Sequence, residues 1–400
     1  MNFTFLSPTN LIVGKNVENE TGNWIKKYGG RRVLVHHDSG HVKQCGLVDK
    51  IVNNMKKEGL KVIELGGVVS NPHLSLVYEG IEICRKEKVD FVLAIGGGSA
   101  IDSAKGIAMG VPYDGDVWDF YAEQDGKPVK VANKALSVGV VLTIAATGSE
   151  CSMSSILTKE KENLKRFCDN DIIRPVFAIE NPELTYTLPA FQTASGIVDI
   201  MSHSMERYFG PKGGGNTVTD FLCEAIFKTC MECARTLRDD SENYDARASI
   251  MIASTLSHNG LTGMGRVQDW ACHMIEHELS GEYNVTHGAG LAAIIPAWMR
   301  YVYQYNMELF LKWSTRVMNV TYDFEKPERT VLEAIERLEN FFLSLNLSVR
   351  ISNMEEIQEE VKEETMYKMA KRVRTGADGT IGGVKSLDTE DIINIFRLAK

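Results

Sequence analysis

The apolar positions of this chain change their period near residue 185, and the change separates two kinds of structure. Before it, short apolar runs suited to strands buried on both faces, RRVLVHH from Arg31, KVIELGG from Lys61 and DFVLAIGG from Asp90, alternate with amphipathic helical stretches, VDKIVNNMKKEG and LVYEGIEICRKEK. That alternation predicts βαβ units and a parallel sheet covered by helices. After Leu188, strand-like runs largely vanish and long helical patterns follow, in TDFLCEAIFKTCMECARTLRD, ARASIMIASTLSHNG and RTVLEAIERLENFFLSL. The expected organisation is an α/β N-terminal domain over residues 1–187 and an all-α C-terminal domain over residues 188–400, with Pro189 opening the first helix of the second. A cleft between two such domains is where a small-molecule site is expected.

Composition narrows the function classes. A 400-residue chain with 44% hydrophobic residues can bury a sizeable core, and a formal net charge of −9 argues against nucleic acid or an anionic membrane as partner. No run approaches the roughly 18 apolar residues of a membrane span, and the opening MNFTFLSPTNLIVGKN lacks the basic-then-apolar pattern of a signal peptide. A cytoplasmic location is therefore expected, where the eight cysteines would stay reduced. Cys230 and Cys233 form a lone CxxC on a helical pattern with no second pair, which speaks against a metal knuckle.

The chemistry gathers in two places. In GIVDIMSHSME, Asp199 and His203 stand four residues apart and so project from one helix face; in QDWACHMIEHELSGEYNVTHGAG the same holds for His273 and His277, and His287 follows. Asp199, His203, His273 and His287 together make a candidate divalent-metal set of three imidazoles and a carboxylate. Any one of these histidines alone would read as an ordinary polar helix position. Upstream, DFVLAIGGGSAIDSAKG ends a buried strand at Ile95, continues through Gly96, Gly97 and Gly98, and begins a helix at Ser99 with Asp102 in its first turns. Glycines let a backbone approach a bulky anion, and the N–H groups at a helix start favour phosphate. The motif matches neither GxGxxG nor the P-loop pattern, and a tight strand-to-helix turn remains open. The run TIAATGSECS from Thr143 is a second Gly/Ser/Thr-rich segment suited to the same groove or to a plain loop.

These motifs, together with DWACHMIEHELS, THGAGLAAIIP, the ATGSE run, the opening PTNLIVGKN and the closing LDTEDIINIFRLA, resemble the iron-containing, group III alcohol dehydrogenase family over essentially the whole chain. The branch most resembled is that of bacterial NADH-dependent butanol dehydrogenases and NADPH-dependent aldehyde reductases. The resemblance implies metal ligation by Asp199, His203, His273 and His287, with His277 as an additional active-site histidine that shuttles a proton or packs behind the ligands. It implies a pyrophosphate loop at Gly96, Gly97, Gly98 and Ser99 with Asp102 nearby, a groove lined by Asn71, Thr143 and Thr147, Lys165 near the cofactor ribose, and a homodimer. Asp38 stands where NADPH-using relatives tend to carry glycine. A carboxylate there would bond the ribose hydroxyls of NAD and repel the extra phosphate of NADP, whereas HDSG is also good turn chemistry. The expected cofactors are NAD(H) in preference to NADP(H) and one divalent metal, Fe(II) first and Zn(II) second. The expected reaction is hydride transfer between NAD(H) and a small to medium-chain primary alcohol or aldehyde such as butanol or butanal. An NADPH-dependent broad-range aldehyde reductase and a diol or glycerol dehydrogenase are the alternatives on the same scaffold. Trp270 and Trp298 are read as pocket walls or, more economically, as core.

Overall fold

A computed structural model describes residues 2–38, 40–122 and 128–400. The chain divides into two compact units, residues 6–188 and residues 189–400, the second joined by the N-terminal segment up to Phe5. That segment differs from the expectation that residues 1–187 form one domain. The Phe5 ring lies beside Gly260 of the helical unit while staying exposed.

In the first unit six strands form one parallel sheet: β1 (Asn10–Val13), β2 (Arg32–Asp38), β3 (Lys61–Val68), β4 (Phe91–Gly96), β5 (Ser137–Leu142) and β8 (Phe177–Glu180). β6 (Ser154–Lys159) and β7 (Leu164–Asp169) make a separate antiparallel hairpin. The helices are α1 (Thr21–Lys27), α2 (His41–Gln44), α3 (Leu47–Lys57), α4 (Leu74–Glu87) and α5 (Gly98–Gly110). β4 is buried at every position, as a parallel strand covered on both faces must be, and this explains its unbroken apolar run. The sheet order is β1-β8-β5-β4-β2-β3, so the chain leaves β2 toward β3 on one side and returns to β4 on the other. β2 and β4 therefore flank the point where the order reverses, and ligands of open parallel sheets bind beyond the carboxyl ends of strands there.

The second unit is helical: α6 (Ala190–Tyr208), α7 (Thr217–Asp239), α8 (Tyr244–His258), α9 (Ala271–Tyr283), α10 (His287–Val302), α11 (Met307–Arg316), α12 (Pro327–Ser344), α13 (Glu363–Arg372) and α14 (Thr389–Ala399). Pro189 sits at the N-cap of α6. α10 is buried almost throughout, and Gly288 in its first turn lies so close to α6 that an added Cβ would stand 2.0 Å from the Ser195 carbonyl oxygen. That approach sets His287 beside the face of α6 carrying Asp199. Trp298 belongs to the core, packed edge-on to Phe209 at 6.0 Å between centroids. Cys230 and Cys233, one turn apart on α7, are buried thiols, and burial pushes the Cys230 thiol well above its ordinary pKa. No helix among the described residues is long and apolar enough to cross a membrane.

Candidate functional site

Three helices of the second unit bring the predicted ligands together. Asp199 and His203 lie one turn apart on α6, His273 on α9, and His287 is the first residue of α10. Asp199 Oδ1 stands 3.3 Å from His203 Nδ1, 3.8 Å from His273 Nε2 and 3.7 Å from His287 Nε2. Donors around one ion with bonds of about 2.1 Å lie roughly 3.4 Å apart, so the His273 and His287 spacings suit a cation shared with Asp199. The His203 and His273 rings are 4.6 Å apart and those of His273 and His287 5.2 Å.

The Nδ1 nitrogens are each engaged, which fixes what the other ring nitrogens offer. His203 Nδ1 meets the Asp199 carbonyl at 2.9 Å, His273 Nδ1 donates to Glu206 Oε2, and His287 Nδ1 donates to Glu276 Oε2. With the proton held on Nδ1, His273 and His287 each turn an Nε2 lone pair toward Asp199. His273 Nε2 is buried without a hydrogen-bond partner, because Asp199 Oδ1 at 3.8 Å is out of reach. A buried polar atom left in this way is what a metal ion would satisfy. Glu276, His277 and His287 also approach one another closely. There the Glu276 carboxylate already takes the His287 proton, which makes it an orienting group for His287.

Electrostatics point the same way. Burial disfavours the Asp199 charge, yet the His203, His287 and His273 imidazoles outweigh it and hold the carboxyl well below the usual range. Burial pushes His203 far below its ordinary value, so it is neutral. His273 is opposed by burial but carried up to about 9 by Glu206 and Asp199. Three buried carboxylates, Asp199, Glu206 and Glu276, demand positive charge; without metal a proton on His273 partly meets that demand. The residues present thus fit a divalent ion.

His277 is buried on the same face of α9, its ring 5.6 Å from that of His287 and 6.4 Å from that of His273. Four neighbours escaped the sequence reading. Glu206 continues the face of Asp199 and His203 at i+7, a signal legible in DIMSHSME; Glu276 lies three residues after His273. His258 stacks edge-on to His203 at 4.2 Å, and Arg207 reaches the His258 Nδ1 at 3.2 Å while lying 4.5 Å over the Trp270 ring. Trp270 flanks His273 at 5.2 Å, so it does stand beside the cluster.

The first unit holds the predicted dinucleotide residues, with Gly96, Gly97, Gly98 and Thr143 at the carboxyl end of β4. Gly96 closes the strand and its carbonyl accepts from Thr143 N at 3.1 Å; α5 begins at Gly98, one residue before the expected Ser99. Gly97 caps α5 without a side-chain bond, and a Cβ at Gly98 would fall 2.5 Å from the Thr147 side chain, so the two loops pack closely there. Asp102 is buried, accepting from Ser149 Oγ at 2.6 Å, and so acts on the 143–154 loop within this unit. Asp38 ends β2, the strand beside β4, and its Oδ1 accepts from Gly40 N at 2.7 Å, so it does form the turn. Asn71 has a left-handed φ of 54° just before Pro72. The Pro72 carbonyl accepts from Thr158 N at 2.8 Å, and Thr158 pairs with the buried Lys165 across the β6/β7 hairpin, which places Asn71 and Lys165 in neighbouring segments.

Residues 8–182 match the iron-containing alcohol dehydrogenase family, and residues 193–400 match the C-terminal domain of the Fe-containing alcohol dehydrogenase family. The chain is 38% identical over 398 residues to NADH-dependent butanol dehydrogenase A of Clostridium acetobutylicum, covering 99% of each chain. It is 33% identical to the NADPH-dependent aldehyde reductase YqhD of Escherichia coli over 88% of this chain and 89% of that protein. The crystal structure of NADH-dependent butanol dehydrogenase A from Thermotoga maritima superposes with a TM-score of 0.93 at 35% identity, covering 100% of this chain and 98% of that one. With both of its units matched along nearly their whole length, the chain belongs to the iron-containing alcohol dehydrogenase family.

Proposed function

We propose that the protein is a metal-dependent alcohol dehydrogenase that exchanges a hydride between NAD(H) and a small to medium-chain primary alcohol or aldehyde, with butanol and butanal as the reference pair. The observation that carries this reading is the buried, partnerless Nε2 of His273, in a close group with Asp199 and His203 and with His287 Nε2 3.7 Å from the same Asp199 carboxylate. The likeness to butanol dehydrogenases named as NADH-dependent supports the cofactor and the substrate class.

A bound divalent ion would supply Lewis acidity toward a carbonyl or alcohol oxygen, and the dinucleotide would supply or accept the hydride. Asp199, His203, His273 and His287 are the residues that would hold the ion, Fe(II) as first assignment and Zn(II) as second, since this donor set serves both. Glu206 and Glu276 keep the Nδ1 protons of His273 and His287 in place and so keep both Nε2 atoms basic. His277, one ring away from His287, holds or passes a proton at its imidazole. Gly96, Gly97, Gly98 and Ser99 bind the pyrophosphate at the start of α5, with Asn71, Thr143, Thr147 and Lys165 lining the dinucleotide groove and Asp38 selecting NAD(H). The proposal includes a homodimer in the cytoplasm, to be checked by light scattering and cell fractionation.

One observation favours a second reading, an NADPH-dependent aldehyde reductase: the Asp38 carboxylate is engaged by its own turn through Gly40 N. The deciding experiment, on protein loaded with iron or zinc and with metal content measured, follows oxidation of NADH and NADPH by straight-chain aldehydes and reduction of NAD and NADP by diols, glycerol and hydroxy acids. Butanal with NADH is expected to outperform glycerol with NAD near neutral pH. Higher kcat/KM for diols or hydroxy acids would withdraw the butanol-type substrate class, and no turnover of any aldehyde with any loaded metal would withdraw the dehydrogenase.

A further inference from the structure

The least ordinary residue of the first unit is Lys105. It lies on α5, one turn after Asp102, and its side chain is fully buried in the dinucleotide unit. Burying a lysine costs several kcal/mol unless its ammonium is fully solvated by the protein. Here five oxygens surround Nζ: the Ser149 carbonyl at 2.7 Å, the Ser149 hydroxyl at 2.9 Å, the Ser152 carbonyl at 3.1 Å, the Ser152 hydroxyl at 3.3 Å and the Ser154 carbonyl at 2.7 Å. An ammonium has three protons, so five oxygens exceed what directed hydrogen bonds require. The cage has instead the form of an oxygen shell around a monovalent cation, with the lysine supplying the charge. Burial pulls the Lys105 ammonium down to about 8, against the attraction of Asp102, which leaves it charged at neutral pH.

The oxygens come from one short segment, and that segment is tied to the glycine loop. Ser149 Oγ is shared between Lys105 and Asp102, and Ser149 N donates to Thr147 Oγ1 at 3.1 Å. Thr147 in turn fills the space above Gly98 at the start of α5. Lys105 therefore fastens the loop after β5 to the helix whose first turn carries the glycines. We propose that Lys105 is a positioning residue, a built-in cation that organises residues 149–154 and through them sets the dinucleotide affinity of this unit, and that removing its side chain leaves a site a small alkylammonium ion can refill. The inference rests on the reading of this unit as the NAD(H)-binding one.

The test measures NADH affinity by fluorescence titration, and amide hydrogen exchange of residues 149–154, in the metal-loaded wild type and in Lys105→Ala. The variant is expected to bind NADH about tenfold or more weakly, because the loop is no longer preorganised, while retaining its metal. Propylammonium chloride should restore most of the affinity and the amide protection, and tetramethylammonium chloride at equal ionic strength should not. Wild-type affinity and protection in the variant, or equal effects of the two salts, would overturn the proposal. If Lys105→Ala does not fold, Ser152→Ala, which removes one cage hydroxyl, is expected to speed exchange at residues 149–154 and weaken NADH binding several-fold; no change in either overturns it. A wild type that binds no NADH would instead refute the dinucleotide assignment, and the exchange data would still decide the Lys105 cage.

Discussion

Glu206 holds His273 at two points, its Oε1 accepting the backbone N–H at 3.1 Å while its Oε2 accepts the ring Nδ1–H. One carboxylate thus sets both the start of α9 and the rotation of the imidazole about its own bonds. Glu206→Gln keeps the size and one acceptor but loses the charge that supports His273. Metal affinity, read by competition with a chelator, should fall by roughly 10- to 100-fold, with the far-UV circular dichroism unchanged. Undiminished affinity would mean that His273 is oriented by packing alone.

Removing a ligand should have a larger effect confined to the helical unit. His203→Ala and His287→Ala should each lose bound metal and most turnover, while NADH binding persists, because every proposed dinucleotide residue lies in residues 6–188. Full metal content and full activity in both variants would refute the assignment.

Asp38 tests cofactor choice. Asp38→Gly should shift the ratio of kcat/KM toward NADPH by about tenfold or more, equivalent to roughly 1.4 kcal/mol of differential binding. An unchanged ratio would leave Asp38 with the turn to Gly40 as its whole role.

His36 predicts part of the acid sensitivity. It is fully buried in β2 between the Leu65 carbonyl at 2.9 Å and the Ser103 hydroxyl at 2.8 Å, and burial lowers its pKa from 6.5 to about 4. Because the folded value lies below the unfolded one, its contribution is complete above pH 6.5 and is lost as the pH falls toward 4. The full difference corresponds to about 3 kcal/mol. Urea denaturation at stepped pH should show a shallower loss of stability in His36→Gln than in wild type across that window; parallel slopes would contradict it.

Much of this was legible along the chain because helix and strand periods are local. The apolar runs at β2 and β4 suited strands covered on both faces, and the i, i+4 spacing of Asp199 and His203 places both on one face of any helix. Convergence was a different matter. Nothing local joins His287 to Asp199; α10 reaches α6 because Gly288 lets the two backbones approach at Ser195. Glu206 and Glu276 carry no local mark of burial, and only the packing of α6, α9 and α10 buries them against imidazoles. Nothing local in AIDSAKG marks Lys105 as buried, and only the return of the chain after β5 brings five oxygens to its ammonium. Sequence period determined which elements form and which side chains share a face. Which charges are buried together, and therefore which of them must be compensated by a proton, a partner or a metal, was decided by the tertiary packing, because desolvation depends on neighbours distant in the chain.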